Sequence, residues 1–212
     1  MIKFVAGVDL GQSQDYTAIS ILECMKEGKE AKYYLRHLER VRGESYPAIV
    51  KKVTKMIHSH MLKDNASLVV DATGVGAPLI DLFEGAGLNP VGVFIHGGDR
   101  VTKDSNNWRN WRVPKRDLVA CLQVILQSER FKVAGKLELG PILQQEMLNF
   151  RVKIDPATAH DSYSAWREAD HDDLVLSVAL ACWWGEQEAS KVTLVIPTKP
   201  LVRPYPTIIG EF

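Results

Sequence analysis

The run "LVLSVALACWW", Leu174 to Trp184, constrains this chain more than any other stretch. Read as a helix it is apolar nearly all round, so no face of it can be left to water. Such a helix must lie on a sheet and be covered from above. The residues before it, "EADHDD", crowd Glu168, Asp170, Asp172 and Asp173 with His171 at its amino end. One or two acids there favour the helix dipole, and Asp170 with Asp173 has the spacing of an ordinary cap. So many like charges in one short stretch repel one another and need a further reason.

The rest of the chain supplies the sheet. Residues Lys3 to Leu10 read as a strand, and "YTAISILEC" and "KYYLRHLERV" as two more, joined by the short polar links "GQSQD" and "KEGKE" into an antiparallel meander. "YPAIVKKVTKMIHSHML" sets Ile49, Val53, Met56 and Ile57 on one helical stripe. "ASLVVDAT" is continuously apolar, the signature of a central strand covered on both faces. "GAPLIDLFEGAG" reads as a short helix closed by glycine and "PVGVFI" as another buried strand. After a polar interval from His96 to Pro114, "KRDLVACLQVILQSERF" and "PILQQEMLNF" read as helices, and "RVKIDPATAHDSYSAW" as an irregular hairpin. The expected architecture is α/β with a mixed five-stranded sheet flanked by helices. Residues 1–188 would form one domain and the Pro-rich residues 189–212 an extended arm.

Composition narrows the function classes. Lys plus Arg and Asp plus Glu both number 26, which argues against a domain coated in positive charge. Cys24, Cys121 and Cys182 lie far apart with no metal-site spacing, and an odd thiol count suits a reducing compartment. No span is long enough for a membrane and the first residues do not read as a signal peptide, so a cytoplasmic protein is expected.

Three acidic positions share a geometric property. Asp9 ends the first strand, Asp71 ends "SLVVD", and Asp172 and Asp173 open the last helix. Open α/β sheets gather ligands at the carboxyl ends of their parallel strands. If the first and fourth strands are neighbours, Asp9 and Asp71 meet there and the helix delivers further carboxylates. Carboxylates that close cannot all stay ionised without a cation. Oxygen-only donors favour Mg²⁺ or Mn²⁺. Two such ions clamp the attacking and leaving oxygens of a phosphoryl transfer. Taken singly, Asp9 and Asp71 also read as turn formers, and it is their convergence that points to chemistry.

"VAGVDLGQSQDYTAISIL", "LVVDATGVGAPLIDLF", "VPKRDLV" and "HDDLVLSVALACWW", in that order, resemble the nuclease domain of tailed-bacteriophage terminase large subunits, from about Lys3 to Glu188. The resemblance implies an RNase H-like fold and two-metal cleavage of concatemeric double-stranded DNA in a bacterial host, by a virus- or prophage-encoded protein. By the same resemblance Asp9 would bridge both ions, Asp71 would be the fourth-strand ligand, and one or both of Asp172 and Asp173 would bind metal. Implied partners are the terminase ATPase domain, the small terminase subunit and the portal. No "GxxxxGK[ST]" phosphate loop occurs in the sequence, so translocation would need a separate motor. Asp15 and Thr17, across the first turn, read as turn residues or as support for the ligands. His171 either orients a carboxylate or sits exposed at the helix cap.

DNA would be held by the interval "GGDRVTKDSNNWRNWRVPKR". Arg100, Lys103, Arg109, Arg112, Lys115 and Arg116 oppose only Asp99 and Asp104 there, with Trp108 and Trp111 interleaved. Cations neutralise phosphates and flat rings stack on bases. The alternatives are that the tryptophans close a satellite core and that Lys115 lies on the surface. Tyr163, Trp166 and Arg167 would line or gate the site. Contacts to the backbone alone would make cleavage largely sequence-independent. Rival readings of the same residues are a Holliday-junction resolvase, an ATP-binding lobe of the actin and sugar-kinase type built on "VDLGQSQDYTAIS", and a module that binds DNA without cutting it.

Overall fold

The structure, a computed structural model, describes residues 2–11, 15–27, 30–74, 76–105, 107–152 and 172–192. The first strand β1 (Ile2–Asp9) pairs antiparallel with β2 (Tyr16–Glu27), and β2 with β3 (Glu30–Arg42), which is the expected meander. Helix α1 (Tyr46–Ile57) leads to β4 (Ala66–Asp71), parallel to β1. Helix α2 (Ala77–Gly85) leads to β5 (Val91–His96), parallel to β4.

The sheet is wider than the five strands expected from sequence. Thr102–Lys103 (β6) and Trp111–Pro114 (β7) extend one edge, and Phe131–Val133 (β8) the other. The order is β6-β7-β5-β4-β1-β2-β3-β8. Helix α3 (Lys115–Gln127) therefore stops short of "SERF", whose last residue opens β8. Helices α4 (Gly140–Val152) and α5 (Asp173–Val192) complete the described chain. The expected arm was to begin at Ala189, but α5 runs on to Val192. The remainder of that arm, the expected hairpin beyond residue 152 with Tyr163 and Trp166, and Arg167, Glu168, Asp170 and His171 lie outside the described residues.

Two cores share the sheet. Leu68 and Val70 of β4 face α1 and α2, together with Phe4, Ala6 and Val8. Val69 faces the other way, with Val5, Ala18, Val93 and most of the apolar run of α5. This is why "SLVVD" carries no polar residue in its middle. Leu174 to Trp184 are all buried, as a helix without a polar face requires. Its close seat on β1 depends on Gly7, where a Cβ would come 2.0 Å from the carbonyl oxygen of Ser177. The three cysteines, remote in sequence, meet this same core, and burial pushes the Cys24 and Cys121 thiols up to about 12. They act as small apolar side chains.

Strand β3 contains one extra residue. Ile21 pairs with His37 but Leu22 pairs with Leu35, so Arg36 is left without a ladder partner on β2. A bulge of this kind reverses which side chains face which side of the sheet. Tyr33 and Leu35 point to the α5 core before it, and Leu38 does so after it.

Candidate active site

The register assembles one row across the sheet. Arg40 pairs with Ala18, Ala18 with Asp9, and Asp71 with Val93, while Val8 beside Val70 sets Asp9 next to Asp71. Beyond Val93 the row continues through Trp111 to Lys103. Paired residues point to the same face, so Asp9, Asp71, Arg40, Trp111 and Lys103 all lie on the α5 side. Strands are ~4.8 Å apart, which sets Arg40 about 10 Å from Asp9 on one flank and Lys103 about 14 Å from Asp71 on the other.

Asp9 is buried beside Asp71. Burial, then the charges of Asp71, Asp172 and Asp173, hold the Asp9 carboxyl well above the usual range. Burial raises Asp71 too, against two hydrogen bonds from Thr73. The Thr73 amide donates to Asp71 Oδ1 at 2.8 Å, its hydroxyl donates to the same oxygen, and Thr73 Oγ1 accepts from Ile95 N at 2.7 Å. Thr73 thereby fixes the orientation of Asp71.

The two acids at the head of α5 diverge. Lys115 Nζ donates to Asp172 Oδ2 at 2.8 Å, so Lys115 is turned into the acidic site and is not a surface residue. Arg40 Nη2 lies 2.8 Å from Asp173 Oδ2 and also binds Glu146 of α4. The Arg40 and Glu146 side chains are only 12% and 8% exposed, and burial pushes Glu146 up to about 7 against the pull of Arg40. The cap differs from the expected one. Leu176 N donates to the Asp172 carbonyl at 2.9 Å, making Asp172 the N-cap and Asp173 the first helical residue. The Val175 amide, third in the helix, donates to Glu146 Oε2 at 3.3 Å.

Asp71, Asp172 and Asp173 thus crowd the buried Asp9, but not as a finished chelate. Among the described residues no three His, Cys, Asp or Glu side chains converge closely enough to hold an ion as they stand. Asp172 and Asp173 are drawn aside by Lys115 and Arg40. The donor chemistry nevertheless fits a hard dication: every donor is oxygen, and a cation would relieve the repulsion that the neighbouring carboxylates exert on the buried Asp9. Asp15 is exposed, and Thr17, buried, accepts from Gly11 N at 3.2 Å and closes the first turn.

The basic interval does not form one track. Lys103 Nζ lies 5.1 Å from the Trp111 ring and 5.6 Å from that of Trp108, and the Arg109 guanidinium lies 4.7 Å over Trp108. Trp108 is 65% exposed. Trp111 packs edge-on against Trp183 at 5.7 Å and belongs to the core. Arg112, one residue on, is exposed on the opposite face of the sheet. Arg116 is paired with Asp99 at 2.6 Å, and Arg100, next to Asp99 in the chain, is exposed. Arg40, Glu146 and Thr73 escaped the sequence reading. Thr73 alone left a signal, standing two residues after a strand-end aspartate where such side chains bond back.

An antiparallel meander continued by parallel strands, with carboxylates at the central strand ends under a buried helix, defines an RNase H-like α/β protein. Its fold is shared with the nucleases of phage large terminases. The large terminase nuclease from thermophilic phage G20c superposes with a TM-score of 0.54 at 19% identity, covering 85% of this chain and 81% of that one. The same nuclease with bound zinc gives 0.52 at 21% identity, covering 85% and 80%. The large terminase of another thermophilic bacteriophage gives 0.52 at 13% identity, where 84% of this chain matches 38% of that protein. No family model matches the sequence, and no curated protein matches it.

Proposed function

We propose that this chain is a divalent-metal-dependent endodeoxyribonuclease of the terminase type, cutting double-stranded DNA with little sequence preference. The observation that carries the reading is the gathering of Asp9, Asp71, Asp172 and Asp173 around one buried point of an RNase H-like sheet. Asp9, Asp71 and one or both of Asp172 and Asp173 would hold two Mg²⁺ or Mn²⁺ ions. When bound, such ions supply the positive charge that stabilises the attacking and leaving oxygens of a phosphodiester displacement.

The chain's own residues prepare that site. Thr73 holds one oxygen of Asp71 by two bonds, leaving the other to the shared centre. Lys115 offsets part of the repulsion that Asp172 exerts on Asp9 and can turn its ammonium to a phosphate oxygen once that carboxylate is engaged. Lys103, Arg109 and exposed Trp108, some 14 Å along the same face, suit a DNA backbone leading into the site. The terminase setting adds a packaging ATPase, a small subunit and a portal as partners, and the host cytoplasm as location. No described helix is long and apolar enough to cross a membrane.

Plasmid nicking and linearisation test this directly. The purified protein should cut with Mg²⁺ or Mn²⁺ and not with EDTA. Asp9→Ala and Asp71→Ala should abolish cutting while the far-UV circular dichroism stays unchanged. A wild-type protein that leaves plasmid intact with both ions refutes the reading.

A further inference from the structure

The head of α5 raises a question that the acids alone do not answer: adjacent aspartates cannot do the same job when one sits on Lys115 and the other on Arg40. In an ordinary N-cap, the cap side chain accepts from the amide of the second or third helical residue. Here the cap is Asp172 and the third amide is that of Val175, yet Glu146 from α4 takes it, at 3.3 Å. Its other oxygen binds Arg40, which reaches Asp173 at 2.8 Å. Arg40 is itself aimed at this face by the bulge at Arg36 and lies 4.8 Å over the Tyr16 ring. The result is a unit in which Glu146 performs the capping and Arg40 neutralises Asp173. Asp172 is relieved of the capping role, and its partner is Lys115, whose side chain is 16% exposed while the carboxylate is 25% exposed.

We propose that Glu146 and Arg40 are positioning residues that retain Asp173 on the protein and leave Asp172 as the carboxylate of this pair that a divalent cation takes. The inference rests on the metal-dependent reading and refines it: the adjacent acids are divided between structure and metal by residues from α4 and β3. Without Glu146, the Val175 amide would recruit Asp172 as its cap, and the carboxylate intended for metal would be turned back toward the helix.

Mn²⁺ binding without DNA, measured by titration calorimetry well below the melting temperature, tests this. Asp172→Asn should weaken binding at least tenfold, and Asp173→Asn by no more than about threefold. Glu146→Ala should weaken it at least fivefold, and Glu146→Gln, whose carbonyl oxygen still accepts from Val175, should restore most of the loss. A role confined to holding the fold would lower the melting temperature of Glu146→Ala and leave the affinity of the folded protein unchanged. That result, or equal losses for Asp172→Asn and Asp173→Asn, overturns the inference. If Glu146→Ala does not fold, the comparison of the two asparagine variants decides. Wild-type protein that binds no Mn²⁺ overturns the metal reading as well; wild-type binding with equal losses overturns only the division of labour.

Discussion

Gly7→Ala is the most informative single change away from the carboxylates. Its added methyl would lie 2.0 Å from Ser177 O, 3.0 Å from the carbonyl carbon of Ser177 and 3.1 Å from Ala181 Cβ. The obstruction is helix backbone, which no rotamer change relieves, so α5 must retreat by at least about 1 Å to restore ordinary contact. Overpacking of this kind costs ~1–3 kcal/mol, and a backbone obstacle places it at the upper end. In a domain of this size that lowers Tm by roughly 6–12 °C. The same retreat carries Asp172 and Asp173 away from Asp9, and a misplacement of about 1 Å is worth ~100-fold in rate. Thermal melts and Mn²⁺-dependent plasmid cleavage should therefore fall together, although Gly7 touches no substrate. A Gly7→Ala protein with wild-type melting and wild-type cleavage would show that α5 does not sit on β1 as described, and the placement of its two acids would fall with it.

In metal-free buffer, Asp9→Asn should raise Tm at pH 8 and hardly change it at pH 4.5. A carboxyl whose folded pKa is raised stabilises fully below its unfolded pKa and loses that contribution as pH climbs through the folded value, so wild type carries the penalty at high pH. Excess Mn²⁺ should reverse the order of the two melting temperatures, and a variant less stable than wild type in EDTA at pH 8 would count against a strained acid pair. Lys115→Met should cost about 1–2 kcal/mol without metal, because Asp172 loses its partner while remaining a quarter exposed, with Mn²⁺ recovering most of it in a thermal melt. Equal losses with and without the ion would contradict this. Trp108→Ala should change stability by no more than ~0.5 kcal/mol yet weaken duplex binding by fluorescence anisotropy, whereas Trp111→Ala should cost about 3 kcal/mol in a urea melt. The opposite pattern would exchange the roles of the two rings.

Much of this was legible in the residues themselves. A run as apolar as Leu174 to Trp184 can only be buried, and "SLVVD" can only be a strand covered on both faces. Those two facts bring Asp71 and the acids of α5 to the same end of one sheet, and the meander adds Asp9. The edge strands β6, β7 and β8 were not legible, because two to four residues carry no periodicity. Trp108 and Trp111 read alike in sequence. Only the pairing of Trp111 with Val93 separates a core ring from an exposed one. Arg40 was hidden by the bulge: a strict alternation from Tyr33 and Leu35 sends it to the wrong side. Glu146 sits in "PILQQEMLNF", where nothing local announces that an acid will be buried beneath another helix.

The unpaired residue at position 36 has a consequence for how this strand can change over time. The Arg36 side chain lies at the surface, bonded to Glu23 at 2.6 Å, so many residue types would serve there. The bulge itself is another matter. Removing Arg36 would leave Leu35, His37, Leu38, Glu39 and Arg40 in strict alternation with their present partners on β2, so Leu38 and Arg40 would keep the α5 side. A strand that kept all its residues but lost the bulge would instead send Leu38 and Arg40 to the α1 side and bring Glu39 beneath α5, exchanging a guanidinium for a carboxylate. In distant relatives, a one-residue alignment gap at this point should accordingly accompany a regular third strand that still presents a cation to that last helix.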